Sequence, residues 1–338
     1  MVAQGKIVKA IHPKGKQIGD EWTLNDFHNR KFIESGGTSK IYSAEENSSD
    51  TQVALKCISC HYSNEVDLVN EVEFTQHLDH CNVIKYYGYF IDHKKRLWIV
   101  MPLLERDLFN EIKCGPALTS EEKRSITKQL LSSLEYIHSK GITHADIKPE
   151  NISFDRKENQ LVIFDFAISS SLPTVHNIHG TPPYFSPERQ KYQPFDTKSD
   201  IWSAAITILF IYLNKSVYHN DEAKLFAPPK KIAQLLQEIS SETDLHDLLS
   251  QMLLESQEKR LTATEALSHI FFHKLDVIPK KKRKHQEKEE EVLENQDTTY
   301  LSKKVQKTEH EPTDLLHSDT TMHSHVTTHS QVIVTASC

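Results

Sequence analysis

The sequence contains no hydrophobic run long enough to cross a membrane. Its longest apolar stretch, residues 204–213, is interrupted only by Thr207 and falls short of the roughly 20 residues that a membrane-spanning helix needs. The first residues, MVAQGKIVKAIHPKGKQ, also lack the apolar segment of a secretory signal. We therefore expect no membrane partner, and we interpret residues 204–213 as a buried core helix.

Cysteine is scarce, and its number is odd, since the 338 residues include only five. This count favours a reduced compartment over a disulfide framework. Cys57 and Cys60 have C-x-x-C spacing, but no second pair completes a zinc site, so we expect ordinary thiols. The 40 Lys and Arg residues against 47 Asp and Glu give a net charge of −7, which does not favour attraction of the whole chain to nucleic acid.

The apolar pattern divides the chain into three parts. Residues 1–26 form a weakly patterned N-terminal extension, residues 27–275 carry periodic apolar segments, and residues 276–338 are polar enough to predict a flexible tail. The middle part begins with strand-like segments at 31–33, 40–44, 52–58, 84–91 and 97–101, with one helix over 65–78. Helices are predicted over 120–139, 199–213 and 262–273. The sequence thus predicts an α+β fold, with a small β-rich lobe (about 27–101) before a larger, mainly helical lobe (about 105–275).

Five short motifs occur along the middle part. They are VALK ending at Lys56, EVEFTQHLDHCNVI containing Glu71, HADIKPEN at 144–151, DFA at 165–167 and GTPPYFSPE at 180–188. Each motif alone has little weight, but together, in this order and spacing, they are very specific. Over roughly residues 27–275 the chain resembles the eukaryotic serine/threonine protein kinase family, which implies a two-lobed kinase fold, protein substrates, and ATP and Mg²⁺ as cofactors.

The resemblance assigns catalytic roles to four residues. Lys56, paired with Glu71, would contact the α- and β-phosphates of ATP. Asp146 would accept or orient the proton of the substrate hydroxyl, and Lys148 would neutralise charge on the transferring phosphoryl group. The bland alternative for Lys56 is an ordinary surface lysine.

Two further residues would hold Mg²⁺ by the same resemblance, namely Asn151 and Asp165. An isolated Asp before Phe would more often cap a turn. The resemblance also implies a nucleotide cleft with Met101 as gatekeeper, although core packing alone would equally explain its apolar members. The implied ATP-binding residues are Ile33, Glu34, Gly36, Ser39, Ile41, Ala54, Lys56, Met101, Leu103, Leu104 and Ser153.

Other matching positions imply substrate binding or architecture. Thr181 would contact the catalytic aspartate and lysine. Asp107 and Glu150 match acidic positions that meet Arg or Lys upstream of the phosphoacceptor, although both could be solvated or loop acids. The resemblance also implies two architectural contacts, a buried ion pair between Glu188 and Arg260 and a backbone anchor at Asp200.

Several positions depart from the family pattern. The glycine loop, IESGGTSKI, keeps only Gly36 of three glycines, with Glu34 and Ser39 at the other two positions. Ser153 replaces an apolar adenine floor, and Ala167 replaces the glycine of DFG. These changes keep open a second hypothesis, a pseudokinase acting as a scaffold or allosteric partner.

Regulation should also differ, because Ala145 replaces the arginine of HRD that usually receives an activation-loop phosphate. No Lys or Arg lies between Asp165 and Glu188, so a phosphate there would have no obvious partner. We predict activity that does not depend on phosphorylation of this segment. The candidate phosphorylation sites are Ser169, Ser170, Ser171 and Thr174.

A basic run, PKKKRK from Pro279 to Lys284, follows the predicted domain. It resembles a nuclear import signal, which predicts binding to an import receptor and a nuclear or shuttling protein. The acidic stretch at 287–291 opposes direct nucleic-acid binding by this segment. The alternatives are a solvated tail or a local nucleic-acid contact.

Overall fold

The computed structural model describes residues 22–36, 39–59, 72, 74–171, 174–175, 179–215 and 229–273. Most of the predicted N-terminal extension, most of the predicted helix over 65–78, and the tail lie outside these ranges, so the predicted domain boundaries stay predictions. Of that helix, residues 72 and 74–76 are described and helical. Within the described ranges, no helix combines the length and apolarity of a membrane span.

A five-stranded antiparallel sheet forms the first lobe, with the strand order β1-β2-β3-β5-β4. β-branched and aromatic residues fill these strands, and one face packs around Leu55, Trp98 and Val100. The strands are β1 (Phe27–Ser35), β2 (Ser39–Glu46), β3 (Gln52–Ser59), β4 (Gly88–Ile91) and β5 (Arg96–Pro102).

The fourth strand is shorter than the predicted segment 84–91, because the backbone before it bonds elsewhere. Ile84 N donates to Ile163 O at 2.9 Å, and Ile163 N donates to Asn82 O at 2.9 Å. The Asn82 carbonyl and the Ile84 amide are therefore already bonded to Ile163 of the second lobe. β4 begins only at Gly88, and the backbone at 82–84 joins the two lobes instead.

The second lobe is mainly helical. Its helices are α1 (Leu108–Cys114), α2 (Ser120–Ser139), α3 (Pro187–Gln190), α4 (Lys198–Leu213), α5 (Pro229–Glu238), α6 (Thr243–Met252), α7 (Ala263–Leu267) and α8 (Ile270–His273). A two-stranded hairpin, β6 (Ile152–Asp155) and β7 (Gln160–Ile163), completes it. The α+β, two-lobed prediction is confirmed.

The segment 262–273, predicted to be helical, forms two short helices separated by a break. α7 ends at Leu267, and Nδ1 of His269 accepts a hydrogen bond from Phe271 N at 3.2 Å, which starts a new turn. The new direction buries both Phe271 and Phe272.

Helix α4 is the centre of the second lobe, and every residue from 199 to 211 is buried. This confirms the interpretation of residues 204–213 as a core helix. Leu130, Leu134 and Ile137 of α2 are fully buried at helical spacing in the same cluster. Each such aliphatic side chain contributes about 1.5–3 kcal/mol when removed from water. This rigid core supports the loops that follow β5, β7 and α2.

An ion pair links α3 to the loop before α7. Arg260 Nη1 and Nη2 donate to the two carboxylate oxygens of Glu188 at 2.8 and 2.9 Å, and the Arg260 side chain is fully buried. Burial opposes ionisation of Glu188, but the Arg260 guanidinium holds the pKa of that carboxyl below its usual value. The pair fixes α3 against the second lobe.

Candidate active site

The loop after α2 is anchored by one buried carboxylate at the start of α4. Asp200 Oδ2 accepts a hydrogen bond from His144 N at 2.8 Å, and Oδ1 accepts one from Ala145 N at 2.9 Å. His138 Nε2 lies 2.9 Å from Oδ2. These bonds hold Ala145 at φ +68°, a left-handed conformation that costs a residue with a Cβ about 1 kcal/mol. The hydrogen bonds to Asp200 therefore fix the backbone conformation directly before Asp146.

Three side chains converge on Asp146. Thr181 Oγ1 donates to Asp146 Oδ1 at 2.8 Å, and Lys148 Nζ lies 2.9 Å from Oδ2. Lys148 also donates to Thr181 Oγ1 at 2.7 Å, while Asn151 Nδ2 donates to Asp146 O and Oδ2, each at 2.9 Å. This closed set fixes the carboxylate of Asp146 beside a cation and a hydroxyl. It is an arrangement that can orient a hydroxyl nucleophile and accept its proton.

A second charged pair lies at the end of β7. Lys56 Nζ of β3 donates to Asp165 Oδ1 at 2.8 Å. Burial opposes ionisation of Asp165, but the Lys56 ammonium holds its pKa below the usual value. Phe166 is fully buried 4.7 Å from the ring of His144, which locks the position of Asp165. Glu71, the predicted partner of Lys56, lies outside the described residues.

Asp165 and Asn151 fit a hard divalent cation. Asp165 Oδ1 is bonded to Lys56, and no described residue donates to Oδ2. The Asn151 amide nitrogen is used by Asp146, which leaves the amide oxygen as its ligand atom. Mg²⁺ is typically held by one or two such oxygens together with substrate phosphates and water, so this small donor set suffices.

The predicted nucleotide-binding residues lie on the sheet of the first lobe and its β1–β2 turn, directly after β5, and on β6. Ile41 lies opposite Glu34 on β1 and Lys56 on β3, and Ala54 lies opposite Met101 on β5. Gly36 N donates to Ser39 O at 2.9 Å where the chain turns from β1 to β2.

The remaining positions lie on β1, directly after β5, and on β6. Ile33 is exposed on β1, Leu103 and Leu104 follow β5 half-buried, and Ser153 is buried on β6. A small cavity behind Met101 reaches Asp165. The assignment of these eleven positions to nucleotide binding stays a prediction.

The two acidic positions predicted for substrate binding differ. Asp107 caps α1, since its carboxylate accepts hydrogen bonds from Asn110 N and Nδ2, each at 2.7 Å. Glu150 Oε2 is buried and has no hydrogen-bond partner among the described residues. Burial raises the pKa of Glu150, although Lys148 opposes this effect. Of these two residues, Glu150 is therefore the one with a carboxylate oxygen, Oε2, that accepts no hydrogen bond from the described residues.

One residue that the sequence analysis missed is Arg189, directly after Glu188. It is 4% exposed, and Nη1 donates to Ala145 O at 2.7 Å, while Nη2 donates to His179 O. The only sequence signal is an arginine directly after the SPE motif, which by itself reads as a surface residue. A correction also applies to Ser169, because it is 2% exposed and donates to His144 O, so it does not offer an accessible phosphorylation site.

Comparison with known proteins agrees with this geometry. A family model of the protein kinase domain matches residues 27–272. The Aurora kinase of Dictyostelium discoideum is 28% identical over 260 residues, covering 75% of this chain and 67% of that protein. Serine/threonine-protein kinase pak-2 of Caenorhabditis elegans is 27% identical over 260 residues, covering 74% and 49% of the two chains. Sperm motility kinase 2B of Mus musculus is 30% identical over 259 residues, covering 73% and 52%.

The chain spans about half the length of the last two relatives. The matched segment nevertheless includes both lobes and every site residue described above. The chain therefore belongs to the eukaryotic protein kinase family.

Proposed function

We propose that this chain is an active Ser/Thr protein kinase that transfers the γ-phosphoryl group of MgATP to hydroxyl groups of protein substrates. The observation that carries the proposal is the closed set around Asp146, in which Lys148, Thr181 and Asn151 all lie within 2.9 Å of their partners. Such a set holds a carboxylate in one orientation beside a cation and a hydroxyl, as a proton acceptor for a substrate hydroxyl requires.

Each side chain has a defined task in this proposal. Asp146 orients the substrate hydroxyl and accepts its proton, and Lys148 offsets the charge that develops on the transferred group. Lys56 binds the α- and β-phosphates of ATP. A bound Mg²⁺, held by Asp165 and Asn151, would neutralise phosphate charge.

The proposal is tested by phosphotransfer from MgATP to a Ser/Thr peptide library. Asp146→Asn keeps the shape of the side chain but removes its basicity, so we expect turnover to fall by about 10²- to 10⁴-fold. Asp247→Asn, an exposed and remote change of the same kind, is the matched control and should leave turnover unchanged. Equal incorporation by wild type and Asp146→Asn would show a contaminating activity and contradict the proposal.

Glu34 favours a second candidate function, a scaffold or allosteric partner with little turnover. It places a carboxylate on β1 opposite Ile41, where the family has a glycine that lets the backbone approach phosphate. A protein that binds ATP without transferring phosphate, and that gains no transfer activity in a Glu34→Gly variant, would support this candidate over catalysis.

For substrate selection, we propose a preference for Arg or Lys two or three residues before the phosphoacceptor. The support is the buried, unpartnered Oε2 of Glu150 beside the catalytic lysine. A guanidinium would satisfy that oxygen with a charge-assisted hydrogen bond.

We also propose a nuclear or shuttling location, carried by the PKKKRK run, which lies outside the described residues. The test is to compare the tagged chain with a Lys281→Ala/Lys282→Ala/Arg283→Ala variant. A Lys303→Ala/Lys304→Ala/Lys307→Ala variant removes three cations from the same tail and is the control. Loss of nuclear signal in the first variant alone is expected, and identical distributions of all three would contradict the proposal.

A further inference from the structure

Arg189 is a buried cation that donates hydrogen bonds to main-chain carbonyls of two other segments. Nη1 donates to Ala145 O, directly before Asp146, and Nη2 donates to His179 O, two residues before Thr181. One guanidinium therefore joins the catalytic loop to the segment that carries the threonine bonded to Asp146.

Aromatic rings hold this guanidinium in one place. Its carbon lies 3.9 Å from the centroid of Phe185 and 4.5 Å from that of Phe195. Phe195 in turn packs against Ala145 and Val175, and Phe195 and Val175 exchange backbone hydrogen bonds at 2.7 and 3.1 Å. The Arg189 guanidinium and the small side chain of Ala145 thus both pack against the ring of Phe195.

Gly180 supplies the room that the guanidinium needs. A Cβ there would lie 3.0 Å from Arg189 Nη2 and 3.2 Å from Ala145 O, and the residue has φ +121°. A side chain at this position would displace the guanidinium.

Arg189 keeps its charge at neutral pH despite its burial. Burial lowers its pKa to about 10, and the carboxylates of Asp200, Asp146 and Glu188 oppose that shift, so the group is a cation at neutral pH. It supplies positive charge next to Ala145, the position at which the family pattern has an arginine.

We propose that Arg189 is a positioning residue that supplies from α3 the fixed cation missing at Ala145, and so holds the catalytic loop and residues 179–181 in register without a phosphate. This inference rests on the proposed kinase function for its effect on turnover, although its structural part can be measured without catalysis.

The other buried arginine of this region provides a matched comparison. Arg260 is also buried, and its ring neighbour is Trp202, but its guanidinium pairs with the carboxylate of Glu188 and does not reach the catalytic loop. If Arg189 served stability alone, the two residues would be equivalent in every assay except the size of the stability loss.

The test uses the full chain and five variants, which are Arg189→Met, Arg260→Met, Ala145→Arg, and each methionine variant combined with Ala145→Arg. Methionine keeps an apolar stem between the rings and removes the cation. Three readouts are taken, which are peptide phosphorylation with MgATP, the unfolding temperature, and hydrogen–deuterium exchange of the backbone amides at 143–147 and 179–185.

For Arg189→Met we expect turnover per folded molecule to fall at least about tenfold, with KM for ATP within about twofold of wild type. Amide exchange at 143–147 and 179–185 should become faster. Ala145→Arg alone should also lose activity because it places a second cation beside Arg189. In Arg189→Met/Ala145→Arg, the new arginine should restore slow amide exchange and at least part of the turnover. Such non-additivity would show that the two positions are directly coupled. Arg260→Met should lower the unfolding temperature, and Ala145→Arg should not rescue it.

The outcomes separate the two proposals. If wild type transfers no phosphate, the kinase proposal fails, yet the exchange data still decide the role of Arg189. If Arg189→Met leaves exchange at both segments unchanged, or if Ala145→Arg fails to restore it, the positioning role is wrong. Equal rescue of Arg260→Met by Ala145→Arg would likewise overturn it, because the effect would then be general stabilisation.

Discussion

Under the proposed function, a single carboxylate oxygen of Glu150 would set the substrate preference. Because Oε2 is buried without a described partner, an incoming cation would satisfy it. Hydrogen bonds to charged groups contribute about 1.5–3 kcal/mol, so we expect Glu150→Gln to lower kcat/KM by roughly 10- to 100-fold for peptides with an upstream Arg. Peptides without a basic residue should be little affected.

The matched control for this prediction is Asp107→Asn. Asparagine caps helices as well as aspartate does, so α1 should be preserved while the charge is removed. We expect a smaller loss than for Glu150→Gln. A library profile that selects acidic residues or proline near the phosphoacceptor would contradict the role of Glu150.

The DFA motif illustrates a substitution that costs the backbone little. Asp165 has φ +66°, whereas Ala167 is not among the described residues with positive φ. The position that glycine occupies in the family therefore demands no left-handed conformation here, and alanine is accommodated without strain.

At the level of elements, the segment after Asp165 should function without phosphorylation. Ser171 and Thr174 are its exposed hydroxyl residues among those described, and the nearby guanidinium of Arg189 is already bonded to carbonyls. We expect Ser171→Ala/Thr174→Ala, and phosphatase-treated wild type, to keep turnover within about tenfold of the untreated protein, or 1.4 kcal/mol in barrier. Mass spectrometry would verify the phosphorylation state. A larger loss would mean that a phosphate does order this segment.

Helix α2 owes its sharp start to a reciprocal cap. Thr119 Oγ1 accepts a hydrogen bond from Glu122 N at 3.1 Å, and Glu122 Oε2 accepts one from Thr119 N at 2.7 Å. We expect Thr119→Ala to lower the free energy of unfolding by about 1 kcal/mol in urea titrations. Thr119→Ser keeps the hydroxyl and should remain close to wild type. Equal losses in both variants would show that the methyl group, not the cap, matters.

Some elements of the fold can be located from the sequence, and others cannot. Helix α2 matches the predicted 120–139 because its cap and its apolar spacing are both local. The start of β4 and the break between α7 and α8 could not be predicted, since they depend on Ile163 and on the side chain of His269.

For the site, motif spacing located Asp146, Lys148 and Asp165, which are close together in the structure. The role of Arg189 could not be predicted because its hydrogen-bond partners, Ala145 and His179, are distant in the chain. Arg189 also contacts both residues through their main-chain oxygens, not through their side chains. A sequence pattern records side-chain identity, and it does not show which carbonyl groups a long side chain reaches.

At the level of the whole molecule, two buried carboxylates make stability depend on acid. Burial opposes ionisation of Glu188 and Asp200, but Arg260 and His138 hold their folded-state pKa values below the usual 4.5 and 3.8. A lowered folded pKa stabilises the protein above the unfolded value and loses that contribution as pH falls through the folded one. We therefore expect the free energy of unfolding to decrease progressively as pH falls below about 4.5.

Glu188→Gln tests this dependence. It should cost about 3–5 kcal/mol near neutral pH, because it leaves Arg260 buried without its counter-charge. Its stability should also fall less steeply than that of wild type between about pH 5 and pH 3. Glu105→Gln, an exposed change of the same kind, should follow the wild-type curve. Parallel curves for Glu188→Gln and wild type would contradict the assignment.

The bond from Arg189 to Ala145 O also bears on how divergent kinases are classified. Surveys that sort such proteins by aligned columns would score Ala145 as a lost arginine and count it toward inactivity. In this molecule an arginine 44 residues further along the chain donates to the same loop. If Arg189 has the proposed role, a missing arginine in an aligned column does not mean that the loop lacks a cation, and such proteins should be compared by the position of charges in space.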